Sequence, residues 1–311
     1  MILSNFKKEF NVFYSNTIVY DQHSIQTSIK KWQKNGIWVI SILLHHFSYQ
    51  DVPIYNSPNI TMKKIKILFF ILMFLSSCYS DKVYEENYTI RGRTCHVLIP
   101  NRDINGKWII RPAFFKEYDY VDKELLKLGY HIVYYDVTDE YGNPKAQYDF
   151  EQFYITIRDK YHLNSKFIFE GFSRGGYFSL MYTISHPEQI EKIYLDAPVC
   201  DLFSWPKKME PSLYNNAVNK WESCGISIDS IHDAPIVQID RITDFRIPIV
   251  ICYGEQDTIV PYSENFGRIK LPKGYPILNI AKKGCGHHPH SLINCKSIVK
   301  FIDNDIKIVN D

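Results

Sequence analysis

Phe167-Ile-Phe-Glu-Gly-Phe-Ser-Arg-Gly-Gly176 reads as a short apolar strand, then a Gly171-Phe172-Ser173-Arg174-Gly175 turn, then the start of a helix. This is the G-x-S-x-G pattern of a nucleophile elbow. A serine on a strained strand-to-helix turn needs neighbours without Cβ atoms, because the flanking backbone passes close by. Such a turn lifts the Ser173 hydroxyl above the end of a sheet. It also aims backbone N–H groups and a helix N-terminus at the point where charge develops on an attacked carbonyl oxygen.

Outward from the elbow, strand-like and helix-like segments alternate from about residue 82 onward. Upstream, residues 89–91 and 94–100 read as an opening pair of strands and 108–112 as a third. Val121, Leu125 and Leu128 fall at i, i+4 and i+7, so 118–128 is an expected helix, ended by Gly129. Residues 131–136 form the next strand, and Phe150, Phe153, Tyr154, Ile157 and Tyr161 mark the next helix. Downstream, a helix runs to about His186 and stops at Pro187. Strands follow at 192–196, 247–253 and 276–280, and a helix carrying Leu292, Cys295, Val299 and Ile302 closes the chain. This alternation predicts an α/β fold: a mostly parallel central sheet with helices on both faces. In such sheets, chemistry sits beyond the C-terminal ends of the strands.

Two more strand ends carry suitable groups. Gly254-Glu-Gln-Asp257-Thr-Ile-Val-Pro261 follows one strand, and Gly284-Cys-Gly-His287-His288-Pro-His290 follows the last. Ser173, Asp257 and His287 are therefore the expected nucleophile, acid and base, in that chain order. His287 would take the serine proton and return it to the leaving group, while Asp257 orients the imidazole and stabilises its charged form. Glu255 and Asp196 are rivals for the acid, and His288 for the base. The three histidines crowd one turn and no H-E-x-x-H occurs, so metal-dependent hydrolysis is not expected, nor any cofactor.

At 311 residues, 45% hydrophobic and 23% charged, the chain can bury one sizeable core. A net charge of +2 without a Lys/Arg block gives no nucleic-acid face. The 23 Tyr and 19 Phe suit either a compositional bias or a surface on which sugars stack.

Residues 88–305 resemble the α/β-hydrolase family, on Gly171-Phe-Ser-Arg-Gly-Gly176, Asp196-Ala-Pro-Val-Cys-Asp201 with Ser204-Trp205-Pro206, Gly254-Glu-Gln-Asp257 with Val260-Pro261, and Gly284-Cys-Gly-His-His-Pro-His290. They look like secreted, prolyl-oligopeptidase-like esterases of Bacteroidetes. The resemblance implies ester hydrolysis, often on decorated polysaccharides. It favours His287 over His288 as the base. It also implies an oxyanion hole made by the N–H of Arg174 and one from the loop at 111–115. Pro112 has no N–H, which leaves Ala113, Phe114 or Phe115, with Phe114 favoured. Residues 202–244 interrupt the alternation and correspond to a small helical cap; Trp205, Asp201 and His288 are the expected substrate contacts.

The front end reads differently. Met62-Lys-Lys-Ile-Lys66 is basic, the nine residues 67–75 are apolar, and Ser76-Ser77-Cys78 follows. That is a secretory signal, and Leu75-Ser76-Ser77-Cys78 resembles a bacterial lipobox. Residues 62–78 are thus expected to be a lipoprotein signal, with Met62 the true start, 1–61 upstream sequence, Cys78 lipidated and 82–311 the hydrolase domain. A lipid anchor holds a protein on a membrane surface without spanning it, in an extracytoplasmic space that permits disulfides. Cys200 with Cys224, or Cys285 with Cys295, are candidate pairs.

Three functions compete. The first is a carboxylesterase that removes acyl groups from glycans or other small esters through an acyl-enzyme on Ser173. The second is a serine peptidase of the same fold. The third is a catalytically silent surface-binding lipoprotein, which would not need all three triad residues.

Overall fold

In the computed structural model, residues 83–101 and 104–304 are described. The expected signal segment 62–78 with Cys78, and residues 1–61, lie outside the described residues.

Eight strands form one sheet in the order β1-β2-β4-β3-β5-β6-β7-β8. The opening hairpin joins β1 (Tyr84–Ile90) to β2 (Arg93–Ile99). Its turn residues Arg91 and Gly92 both have positive φ, 53° and 77°, as a two-residue turn matching the strand twist requires. β1 pairs with β2 and β2 with β4 (His131–Tyr135) in antiparallel fashion. All later pairs are parallel: β3 (Trp108–Arg111) with β4 and with β5 (Phe167–Phe172), then β6 (Ile190–Asp196), β7 (Ile249–Gly254) and β8 (Ile277–Lys282). β3 and β5 are buried at every position. That is the pattern of strands covered on both faces.

Each face has its own core. On one face α1 (Tyr120–Lys127) and the C-terminal α7 (Lys296–Asp303) bury Val121, Leu125, Ile298 and Ile302 against Ile109, Ile132 and Ile168. On the other face α2 (Pro144–Tyr161) and α3 (Arg174–Ser185) pack Phe150, Phe153, Phe178 and Tyr182 around Phe167 and Phe169. Phe150 lies within 6.1 Å, centroid to centroid, of Tyr135, Phe153, Phe167, Phe169, Phe178 and Tyr182. Half of the tyrosines and phenylalanines among the described residues are buried in this way. α2 starts cleanly: Asn143 caps it by accepting from the Ala146 N–H, and Pro144 sits at the first helical position.

The 202–244 insertion is helical, with α4 (Pro211–Glu222) and two single turns, α5 (Ala234–Val237) and α6 (Asp240–Thr243). It is fastened to the main body by polar bonds at buried aromatics. Trp221 Nε1 donates to Tyr141 O at 3.0 Å, and Tyr177 of α3 donates its hydroxyl to Ile231 O at 2.7 Å.

The closing helix starts later than its apolar spacing predicts. Leu292 precedes it, and Cys295 is its N-cap residue. The cause lies just upstream. The Ser291 N–H donates to Asp196 Oδ2 at 2.8 Å and Ser291 has φ 59°, which holds this stretch out of the helix. Neither candidate disulfide forms; the six described cysteines are free. Cys200 is buried with its Sγ toward Pro198 O, Cys285 faces Lys283 O, and Cys295 faces Tyr120 O. Among the described residues no helix is long and apolar enough to cross a membrane.

Candidate active site

Ser173 sits between β5 and α3 with φ 48° and ψ −120°. A non-glycine residue holds this conformation only when its surroundings enforce it. The Ser173 N–H donates to Asp196 O at 3.0 Å, and Ser173 O accepts from Val199 N at 2.9 Å, so the elbow is stitched to the end of β6. The glycines make the turn possible. A Cβ on Gly171 would lie 2.8 Å from Ser179 Oγ and 2.9 Å from Gly176 Cα. Gly176 is the most crowded of the three, since its Cβ would land inside Pro198, whereas a Cβ on Gly175 would meet Ala113 Cβ at 3.2 Å.

The expected acid and base come from loops after β7 and β8, and these loops cross. A Cβ on Gly254 would collide with Gly286 O and Cys285 O. The Gln256 N–H donates to Cys285 O at 2.9 Å and the Glu255 N–H to Lys282 O at 3.2 Å. Asp257 Oδ1 accepts from the N–H groups of Ile259 and Val260, both at 2.9 Å. Its Oδ2 lies 2.8 Å from His287 Nδ1, and His287 Nε2 lies 3.0 Å from Ser173 Oγ. Burial works to raise the Asp257 carboxyl, but the bond to His287 and the two backbone donors outweigh it and leave it below the ordinary range. All three side chains are almost enclosed, each residue 7% exposed.

Backbone N–H groups at the start of a helix flank the serine. Arg174 and Gly175 occupy the first turn of α3, where N–H groups lack intrahelical partners. The loop after β3 presses on the same turn through Ala113. Phe114 has φ 57°; its ring lies 5.6 Å from the Arg174 guanidinium carbon and 6.1 Å from the His290 ring.

The remaining expected residues divide. His288 is exposed and stacks on Tyr118 at 6.1 Å. Trp205 is buried and donates to Glu210 Oε1 at 3.2 Å, within the insertion. Asp201 has both carboxylate oxygens engaged. Oδ1 accepts from Phe203 N and faces His232 Nδ1 at 2.9 Å, and Oδ2 binds Arg268 at 2.5 Å. Asp201 therefore fastens the insertion's base, and its oxygens are not held out for a substrate. Glu255 is exposed. Asp196 is bonded elsewhere, to Lys282 Nζ at 2.6 Å, His290 Nδ1 at 3.1 Å and Ser291 N at 2.8 Å.

Two buried groupings had no sequence signal beyond residue type. One is the Asp196–Lys282–His290 cluster. The other lies under the elbow, where Arg111 Nη1 donates to Asp122 Oδ2 at 2.5 Å and its Nε lies 3.7 Å from Glu170 Oε2. One guanidinium faces two carboxyls there. Burial, with repulsion from Asp122, pushes the Glu170 carboxyl well above its ordinary range.

No protein-family model and no curated protein matches the chain. Solved structures do. A candidate esterase from Staphylococcus aureus aligns with TM-score 0.52 and 16% identity over 81% of this chain and 95% of its own. A Thermus thermophilus protein aligns with TM-score 0.50 and 12% identity over 71% and 97%. A puromycin-hydrolysing peptidase from Mycobacterium tuberculosis aligns with TM-score 0.53 and 14% identity over 71% of this chain but 38% of the longer peptidase. At these identities the likeness speaks to architecture. Together with the strand order, it shows that this chain has the α/β-hydrolase fold.

Proposed function

We propose that the protein is a serine hydrolase that forms an acyl-enzyme on Ser173, and that it acts as a carboxylesterase on acylated glycans or other small esters. One observation carries the proposal: His287 bridges Ser173 Oγ and Asp257 Oδ2 at 3.0 and 2.8 Å. A hydroxyl is a weak nucleophile until a base takes its proton, and a base works best when a carboxylate fixes its tautomer. Ser173 Oγ attacks the ester carbonyl and its proton passes to His287 Nε2. Asp257 stabilises the imidazolium. The tetrahedral oxygen is received by the Arg174 N–H and by an N–H of the 113–115 loop, Phe114 being the favoured donor. Collapse expels the alcohol, which takes the proton from His287. Water then repeats the sequence and releases the acid.

The anchor is part of the proposal. The basic and apolar run at 62–75 with Cys78 supports a lipidated, extracytoplasmic enzyme held at a bacterial membrane.

Fluorophosphonate labelling of the chain tests the nucleophile. Labelled peptide should map to Ser173 and vanish in Ser173→Ala; an unlabelled wild type sinks the proposal. p-Nitrophenyl acetate set against an aminoacyl amide decides between esterase and peptidase. Mass spectrometry of the mature N-terminus should find lipid on Cys78, and peptides from 1–61 would overturn the anchor.

A further inference from the structure

His287, His288 and His290 present a geometry that acid–base catalysis does not need. Their ring centroids form a nearly equilateral triangle with sides of 4.9, 4.9 and 4.8 Å. The rings stand nearly perpendicular to one another, at 73°, 82° and 75°. One ring nitrogen of each lies within 4.8 Å of the others. With a zinc–nitrogen bond of about 2.0 Å, an imidazole centroid lies roughly 3.2 Å from the ion, and tetrahedral angles put neighbouring centroids about 5 Å apart. The observed triangle is of that size.

Two further observations point to a cation. His287 and His290 each have Nδ1 against a buried carboxylate, Asp257 at 2.8 Å and Asp196 at 3.1 Å. Metal-binding histidines are commonly oriented in this way, with the second nitrogen left for the ion. His290 is 1% exposed, and its Nε2 finds no hydrogen-bond partner among the described residues. A buried imidazole nitrogen without a partner is costly. A second triad of this kind, Asp201–His232–Asp233, already holds a cation, since Arg268 bonds to both of its aspartates. Among the described residues no lysine or arginine is bonded to the histidine triad; Lys282, which shares Asp196 with His290, is spent on Asp196 and on Pro289 O.

We propose that His287, His288 and His290 form a three-imidazole site for a divalent cation of the zinc class, and that its occupancy silences Ser173. The ion takes the His287 Nε2 lone pair that the serine hydroxyl now engages. No proton is then accepted from Ser173, and removal of the ion restores the base. The binding claim stands on the three histidines alone; the silencing claim rests on the serine-hydrolase proposal.

The test uses the full chain in two forms, wild type and Ser173→Ala, titrated with zinc chloride by calorimetry and with cobalt(II) by visible absorption. One ion per chain should bind to both forms, with the intense bands of a tetrahedral cobalt site. His290→Gln and His288→Gln should each weaken binding by at least tenfold, a loss on the order of that seen when a metal site is disturbed. His288 is exposed, so its variant keeps the test intact even where the buried His290→Gln does not fold. Absence of saturable binding to Ser173→Ala, or binding untouched by His288→Gln, overturns the site. In the wild type, zinc should abolish fluorophosphonate labelling and a chelator should restore it. Binding with undiminished labelling overturns the silencing. Failure to label without metal strikes the hydrolase proposal and leaves the binding result standing.

Discussion

His290 Nδ1 lies 3.1 Å from Asp196 Oδ1, so a second carboxylate–imidazole pair stands beside the Asp257–His287 pair without sharing an atom with it. Asp196 ends β6 and Asp257 lies in the loop after the adjacent β7, and both are buried. Their substitutions should separate cleanly. Asp257→Asn should lower turnover by roughly 10³- to 10⁴-fold with little change in stability, because only the base is misoriented. Asp196→Asn should instead destabilise the fold by about 3–5 kcal/mol, because Lys282 is left as a buried charge without its carboxylate. Urea midpoints and esterase rates on the folded fraction check both, and exchanged outcomes would exchange the roles.

Crowding at the elbow sets a second expectation. Gly176→Ala should abolish soluble folded protein, since the added Cβ overlaps the Pro198 ring and neither backbone can yield. Gly175→Ala meets side-chain atoms at its nearest contacts, Ala113 Cβ at 3.2 Å and Pro112 Cγ at 3.4 Å, and should fold, with a cost of about 1–3 kcal/mol from overpacking. Circular dichroism melts of the two variants give the comparison.

Glu170 gives a prediction with a definite sign in pH. Its folded carboxyl keeps a proton that the unfolded chain gives up near the ordinary value, so its contribution to stability is full below that value and declines as pH rises. Glu170→Gln removes this decline. The variant should gain on the wild type between about pH 5 and pH 8, as read from denaturant midpoints at each pH. A gap that shrinks as pH rises would show that the carboxyl is ionised in the fold.

His131 works in the opposite direction. Burial lowers it from 6.5 to about 4, and its Nδ1 has no partner among the described residues. The folded chain therefore holds it neutral while the unfolded chain takes up a proton below about pH 6.5. Its stabilising effect is complete above that value and is lost as pH falls toward 4. Between pH 7 and pH 5 the loss should be on the order of 2 kcal/mol. His131→Phe should flatten that slope, and equal slopes in variant and wild type would refute the assignment.

Much of this was legible because the elbow and the proposed acid and base are each punctuated by glycines at strand ends. Gly171, Gly254 and Gly284 mark turns whose crowding or positive φ leaves little choice of residue. The alternation of strands and helices followed from runs such as 167–172, buried on both faces. Long-range pairing was not legible. Asp196 and His290 are 94 residues apart, and local sequence does not announce the bond between them. The same bond network pulls Ser291 away from the closing helix, so an apolar spacing that begins at Leu292 misplaces its start. Asp201 stands at the start of the insertion expected to line the pocket; its partners Arg268 and His232 come from two other parts of the chain.

The crossing of the loops at Gly254 and Gly286 has a mechanical side. Backbone hydrogen bonds at Glu255 and Gln256 rivet the acid loop to the base loop, while the serine is riveted to β6. Asp257 and His287 therefore travel together as one jaw, and Ser173 belongs to the other. Among the described bonds within the three-residue relay, the one spanning the jaws is the 3.0 Å link from Ser173 Oγ to His287 Nε2. Beside that link, Asp196 at the end of β6 clamps the jaws through Lys282, His290 and Ser291, so slackening of the sheet between β6 and β7 must strain this buried clamp before the gap at Ser173 widens.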